Sequence, residues 1–546
     1  MFRVVVLLSV LSSAVVGQHY LSTEGQHFKL NGQRIFLSGL NMAWCRHGYD
    51  FGGDAYNTVA PGDFCPHPRA AYQQAIRDIR NNGGNSLRVW LHVDGRWTPE
   101  FSSWGSVTQT DSTNQLINDL KDLLSYARAR NVLVFLVLWN GAHHGEFWER
   151  LQNLIWDDLK LDTYVEQALK PLAHALRNQR ALGGWEIMNE PEGSLKIEHH
   201  SDPCYDTSFL QGSGAGWAQL DANGAPTWTD VPRQRVLRFI NRQAAAIKEK
   251  APNHLVTVGS WSELGQGVRN LYSDGCLQKA GGVPAGVLDF YQVHTYTHNG
   301  NYGSQSPFVV SDVSHYTALS GKPVVIGEFS QVRDEGMTMT EQFVLTHITI
   351  NPSTGGGMTM TEQFVLTHIT VNPSTGGGMT MTEQFVLTHI TVNPSTGGGM
   401  TMTEQFVLTH ITVNPSTGGG MTMTEQFVLT HITVNPSTGG GMTMTEQFVL
   451  THITINPSPG GGMTITQQFE RAYSRGYAGA WSWHYLGDRA ADNATDAAAT
   501  QLIGLRELRF KNDQTGGGCV RINLNGSTNY CEKKPPCGQL NQYFYG

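Results

Sequence analysis

Past its first 17 residues the sequence has no run approaching the roughly 18 uninterrupted apolar residues of a membrane-crossing helix, which argues against a membrane anchor. Charge is also sparse. Only 15% of the 546 residues are charged, the net charge is −8 and the pI is near 6.2, so the basic surface that nucleic acid requires is missing and no nucleic-acid partner is expected. Cysteine is scarce and dispersed: Cys45, Cys65, Cys204, Cys276, Cys519, Cys531 and Cys537 fall at no spacing that would grip a metal ion, leaving disulfide staples as their expected use. Cys45 with Cys65 and Cys204 with Cys276 suggest themselves as pairs. Sequence alone does not fix the connectivity, and one thiol of the seven is left over.

Residues 1–17, MFRVVVLLSVLSSAVVG, place a basic residue before an apolar run and then small residues, the layout of a secretory signal peptide cleaved near Gly17. A secreted, extracellular, soluble monomer with no membrane association after cleavage is therefore expected. The sequons Asn493-Ala-Thr and Asn525-Gly-Ser fit an extracellular surface.

The second half is dominated by MTMTEQFVLTHITVNPSTGGG, which recurs with a 21-residue period in six copies between Met337 and Gly462. These copies read either as a small stacked β array, a binding surface in the manner of other repeat proteins, or as a disordered or artefactual excursion. They divide the chain into a signal peptide (1–17), one interrupted domain (18–336 and 463–515), the tandem repeats (337–462) and a Cys-containing tail (516–546). The six copied histidines, His347 to His452, are assigned no role.

Within the interrupted domain eight short Val-, Ile-, Leu- and aromatic-rich runs alternate with stretches of helical periodicity. The runs are 34–44, 86–93, 132–140, 184–190, 254–261, 288–296, 323–330 and 479–485, and AAYQQAIRDIRNNG is one of the helical stretches between them. That alternation predicts parallel strands joined by helices, and the count predicts a (β/α)8 TIM barrel with the repeats inserted after the seventh strand. Each run ends in polar or aromatic residues at the C-terminal rim, where barrel enzymes keep their active sites.

Two of those ends carry a glutamate. In GGWEIMNEPEG, strand alternation groups Glu186, Met188 and Glu190 on one face, with Glu190 at the rim ahead of Pro191; Glu186 lies deeper and is expected to pair with Arg88, and Glu192 is expected to be solvated in the loop. In PVVIGEFS, Glu328 ends another strand. Two carboxylates facing one cleft are what glycoside hydrolysis needs, one donating a proton to the leaving oxygen and the other acting as nucleophile or base.

Asn189-Glu190-Pro191, His294-Thr-Tyr296, Gly327-Glu328-Phe329 and Trp481-Ser-Trp483, in that order on strands four, six, seven and eight, resemble glycoside hydrolase family 5. GLNMAW and WEIMNEPEG more narrowly resemble its secreted invertebrate endo-β-1,4-mannanases of the mollusc type, over residues 18–336 and 463 to about 515. The resemblance implies a retaining mechanism with Glu190 as acid/base and Glu328 as nucleophile. Glu190 is then expected neutral through a raised pKa, and Glu328 ionised, held by Arg88 and Tyr296. Asn189 would bond the substrate 2-hydroxyl, His294 would sit in the site, and Trp481 or Trp483 would form the sugar floor, Trp483 lying nearer the rim. Many family members carry a histidine at the end of the third strand, where this sequence has LWNGAHHGEFW, so His143 or His144 is a candidate in its place. Adjacent histidines point apart and no Asp or Cys stands at ligand spacing, so neither a metal nor a cofactor is expected. Trp44, Trp90, Trp97, Trp104, Trp139, Trp148 and Trp261 are further stacking candidates, most of them expected in the core.

The implied partner is a β-mannan: mannan, glucomannan or galactomannan. A β-1,4-glucanase with the same catalytic pair, or a carbohydrate-binding protein whose catalysis the repeats have disabled, are the alternatives.

Overall fold

The computed structural model describes residues 19–61, 64–141, 147–210, 231–261, 263–296, 305–329, strands between 339 and 455, and residues 465–486, 494–509 and 518–530. Two compact units emerge, one of residues 1–330, 465–492 and 501–546 and the other of residues 331–464 and 493–500. The signal-peptide reading and the pair His143 and His144 fall outside the described residues.

The first unit is a closed barrel of eight parallel strands in chain order: β1 (Leu37–Met42), β2 (Ser86–Val93), β3 (Leu133–Asn140), β4 (Leu182–Asn189), β5 (Leu255–Ser260), β6 (Tyr291–Thr295), β7 (Val324–Phe329) and β8 (Gly479–Ser482), with β8 pairing back onto β1. Each strand falls within or overlaps one of the eight apolar runs, and the (β/α)8 fold holds. Between them run helices such as Pro68–Asn81, Leu116–Ala129 and Arg233–Lys250. The second of these buries Leu116, Leu120, Leu123, Leu124 and Ala127, one stripe at helical spacing, and stops where Asn131 takes a left-handed φ of 57°. Cys45–Cys65 and Cys204–Cys276 are both disulfides, as their sequence pairing suggested.

Residues 518–530, for which the sequence offered no role, pack on the barrel. Val520, Ile522 and Leu524 are buried, and Asn85 donates to the Val520 carbonyl. Asn31 in turn donates to Asn523 and Asn529.

In the second unit the repeats form parallel strands in two sheets, where strands such as Met358–Thr361 with Met379–Thr382 and Phe364–Val371 with Phe385–Val392 pair in register with their equivalents 21 residues away, while Met339–Thr340 pairs with Met423–Thr424. Identical segments stacked in register satisfy one another's backbone groups along the stack.

Candidate active site

Arg88 projects from β2 into the barrel and uses all five of its N–H donors. Nε and Nη2 grip Glu186, the former at 2.7 Å from Oε2; Nη2 also reaches Asn189 Oδ1 at 2.7 Å, and Nη1 reaches Glu328 Oε1 at 2.6 Å and Asn41 Oδ1 at 2.9 Å. Its guanidinium also lies 4.2 Å from the Trp90 ring centroid. Burial works against the Arg88 charge, but the ion pairs with Glu186 and Glu328 outweigh it and raise its pKa above the ordinary value. The two roles expected of Arg88, the barrel ion pair and the grip on Glu328, coexist in one side chain.

Strict strand alternation would turn Asn189 away from Glu186. A bulge in β4 against β5, where Thr257 pairs with Glu186 but Gly259 with Asn189, inserts one residue and brings both side chains onto Arg88. Glu190 follows at φ 44°, a left-handed conformation that is uncommon outside glycine and is retained mostly where function demands it. Its carboxylate accepts or shares a proton with His294 Nδ1 at 2.8 Å. The same nitrogen lies 3.5 Å from Glu328 Oε2, and the Tyr296 hydroxyl donates to that oxygen at 2.6 Å. Glu190, His294 and Glu328 are buried, and each turns one atom to a common point, the three atoms lying within 4.8 Å of one another.

That trio has the donor types to hold a cation, but Arg88 and Tyr296 already engage Glu328 and His294 engages Glu190. Burial, followed by the Arg88 charge, holds the His294 imidazole well below its usual pKa, so the ring is neutral. The carboxylates raise the Tyr296 hydroxyl further, after burial has already done so. Glu328 departs from expectation: burial raises its carboxyl, and Arg88 and the Tyr296 hydroxyl oppose that rise.

Two assignments need correction. Glu192, expected to be solvated, is fully buried, its carboxyl bonded to the Ser260 hydroxyl and to the Trp261 backbone N–H at 3.1 Å, and burial raises its pKa. It ties the end of β4 to the end of β5, and Trp261 there stacks on Tyr296 with ring centroids 5.9 Å apart. Trp481 is not a sugar platform: it is fully buried, packs on Phe135 and donates to Ser86 Oγ at 2.9 Å, because its strand position points it into the barrel core. Trp483 is partly open and packs with Trp44 against Ala43, Trp90, Val93 and Val137. Trp90, Trp139, Trp148 and Trp261 are buried, whereas Trp97 and Trp104 are exposed.

Sequence reasoning passed over Asn41, Asn140 and Gln292. Asn41 holds Arg88 from β1, Asn140 accepts from Asn189 Nδ2 at 2.8 Å, and Gln292 donates to Glu186 Oε2 at 2.6 Å. Asn41 lay in the quoted GLNMAW at a strand end, which was the available signal.

Beyond Trp44, whose ring meets His47 at 4.4 Å and Trp90 at 6.1 Å, a cavity of about 460 Å³ opens on the loops after β1 and β2. Arg46, Tyr49, Asp54, Arg96 and Trp97 are among its walls.

Glu263, just past β5, is fully buried; burial raises its pKa to about 8, against a smaller lowering by the Thr295 hydroxyl. The unfolded carboxyl ionises near pH 4.5. The folded form therefore holds its proton longer, and the stability this group contributes is complete below that pH and is lost as pH rises through about 8. Thermal unfolding of Glu263→Gln should match the wild type at pH 4.5 and exceed it at pH 8.5. Parallel curves at the two pH values would exclude this titration.

The family model described as cellulase (glycosyl hydrolase family 5) matches residues 46–351, and the chain belongs to that family. It is a glycoside hydrolase. The mannan endo-1,4-beta-mannosidase of Mytilus edulis is 45% identical over 341 residues, 62% of this chain and 87% of that protein. That of Cryptopygus antarcticus is 41% identical over 337 residues, 61% and 82% of the two chains. Among solved structures, the endo-1,4-beta-mannanase from Eisenia fetida is similar with a TM-score of 0.62 at 35% identity, covering 92% of this chain and 99% of that one.

Proposed function

We propose that this protein is a secreted, retaining endo-β-1,4-mannanase in which Glu190 is the acid/base and Glu328 the nucleophile. The observation that carries the mechanism is the approach of a Glu190 oxygen and a Glu328 oxygen to within 4.8 Å. Retaining glycosidases set their carboxyl groups about 5–5.5 Å apart, whereas inverting ones need about 6.5–9.5 Å for an intervening water. The substrate class is supported by the mannanase relatives at 45% and 41% identity, and export by the disulfides together with the leader-like first 17 residues.

In the first step Glu328 Oε2 or Oε1 attacks the anomeric carbon as the glycosidic bond breaks, and the Glu190 proton passes to the departing oxygen. Arg88 and Tyr296 hold the nucleophile in place. In the second, Glu190 takes a proton from water, whose oxygen displaces Glu328. Asn189 Nδ2 gives one hydrogen to Asn140 and keeps the second for the substrate 2-hydroxyl, a contact that strengthens at the transition state. Trp483 supplies the partly open aromatic face, and Trp44 leads on to the cavity walled by Tyr49 and Trp97, where further sugar units would lie.

The test is reducing-sugar release by the full-length protein from mannan and from soluble cellulose, with Glu328→Gln as control. Release from mannan alone is expected. Equal or greater release from cellulose would move the assignment to a β-1,4-glucanase, the activity in the family model's description. Saccharide binding without release would identify a binding protein.

A further inference from the structure

Glu192 stands two residues beyond Glu190 and is fully buried, yet the double displacement gives it no part. Its surroundings are set by where the strand ladders stop. On one side β5 pairs with β4 as far as Gly259 opposite Asn189, and on the other with β6 as far as Ser260 opposite Val293. The Glu190 N–H closes the first of these on the Gly259 carbonyl at 2.6 Å. Trp261, one residue past β5, lies beyond both ladders and is buried, so its N–H needs an acceptor from elsewhere. Glu192 Oε2 accepts it at 3.1 Å, while Oε1 accepts from the Ser260 hydroxyl.

One side chain therefore fixes the backbone from which the Trp261 indole departs. That indole lies against the Tyr296 ring, with centroids 5.9 Å apart and planes 25° apart, in the offset-stacked range where aromatic pairs attract. Tyr296 is itself one residue past β6, so the ladder does not hold it, and the indole face limits the swing of its ring. The Tyr296 hydroxyl donates to Glu328 Oε2 at 2.6 Å. Each link from Glu192 to Glu328 is a direct contact: carboxylate to backbone N–H, indole to phenol ring, phenol hydroxyl to carboxylate.

We propose that Glu192 is a positioning residue for the nucleophile: by holding the Ser260–Trp261 backbone it keeps the Trp261 ring against Tyr296, and so keeps the Tyr296 hydroxyl on Glu328. The inference rests on the reading of Glu328 as nucleophile. Arg88 grips the other oxygen of Glu328 on its own, so losing Glu192 weakens one of two anchors. The titratable and charged groups that face Glu328 are Arg88 from β2, Glu186 and Glu190 from β4 and its end, and His294 and Tyr296 from β6 and its end. Those acting on Glu192 are Tyr272 and Arg233.

The experiment is a double-mutant cycle on mannopentaose hydrolysis by the full-length protein. In Glu192→Leu both acceptors are gone, and kcat/KM should fall about ten- to hundredfold, the scale of loss from a misplaced reacting group. The acid limb of its pH profile should move to higher pH, because Glu328 loses a hydrogen bond that favours its charged form. A merely structural role would cost the same whether or not the Tyr296 hydroxyl is present. In the Tyr296→Phe background, where that hydroxyl is already absent, adding Glu192→Leu should cost no more than about threefold. An equal fold loss in both backgrounds, or no loss in either, would overturn the proposal. Glu192→Gln, whose amide oxygen can accept from the Trp261 N–H and whose NH2 can donate to Ser260 Oγ, should stay within about threefold of wild type with the limb in place. A loss as large as that of the leucine variant counts against the role. Should Glu192→Leu not fold, Ser260→Ala, which strips one hydroxyl from Glu192, should move the acid limb the same way by a smaller amount, and an unmoved limb overturns the proposal. Glu328→Gln separates this inference from the one beneath it: a Glu328→Gln that keeps its activity ends the nucleophile reading, whereas an inactive one beside an additive cycle ends the role of Glu192 alone.

Discussion

Glu328→Gln should lower mannan hydrolysis by about four orders of magnitude or more while the barrel stays folded, the scale of loss when a covalent nucleophile is removed. The amide keeps the shape of the carboxyl and can still accept from the Tyr296 hydroxyl, but it cannot form a glycosyl ester. Removing its charge also relieves the buried site of one anion, and Arg88 keeps Glu186 as a counter-ion. Unfolding measured by circular dichroism should therefore shift little. A variant that keeps more than about a hundredth of the activity would remove Glu328 from the nucleophile's role, because positioning losses without lost chemistry are on that smaller scale.

The second large effect is on stability. Arg88→Met should cost roughly 3–5 kcal/mol, the range for breaking a buried ion pair by deleting one partner, and lower the unfolding midpoint by roughly 5–15 °C. The reason is specific to this site: five N–H donors serve Glu186, Glu328, Asn41 and Asn189, and a thioether leaves both carboxylates and both amide oxygens without them. Activity should vanish with it, since Glu328 loses one of its two anchors. Arg88→Lys should rescue little, as a single ammonium cannot span acceptors on four side chains. Differential scanning calorimetry at one pH measures the shift; an unchanged midpoint would mean that the network contributes nothing to the fold.

Much of this was legible from the chain because the signals were local. A buried parallel strand reads as a continuous apolar run, and eight such runs gave eight strands. An arginine in the middle of SLRVWLHV and a glutamate in the middle of GWEIMNE are tolerated inside a barrel only as partners, and Arg88 and Glu186 form that pair. What stayed hidden depended on contacts across the barrel. Glu192 looked like a loop residue because the Ser260 and Trp261 groups that bury it lie on the next strand. Asn189 turned inward only because of a bulge against β5, and Gln292 carries no motif at all. Trp481 and Trp483 share a face by alternation, and although Trp483 lies nearer the rim, it is the packing of Trp481 on Phe135 that assigns Trp481 to the core.

The central claim, a two-glutamate double displacement, is tested most directly by ¹H NMR of the anomeric signals during hydrolysis of mannopentaose, recorded before mutarotation equalises them. The β-anomer of the newly formed reducing end should appear first and decay toward the equilibrium mixture. First appearance of the α-anomer would mean direct attack by water, and the assignment of Glu328 as a covalent nucleophile could not stand.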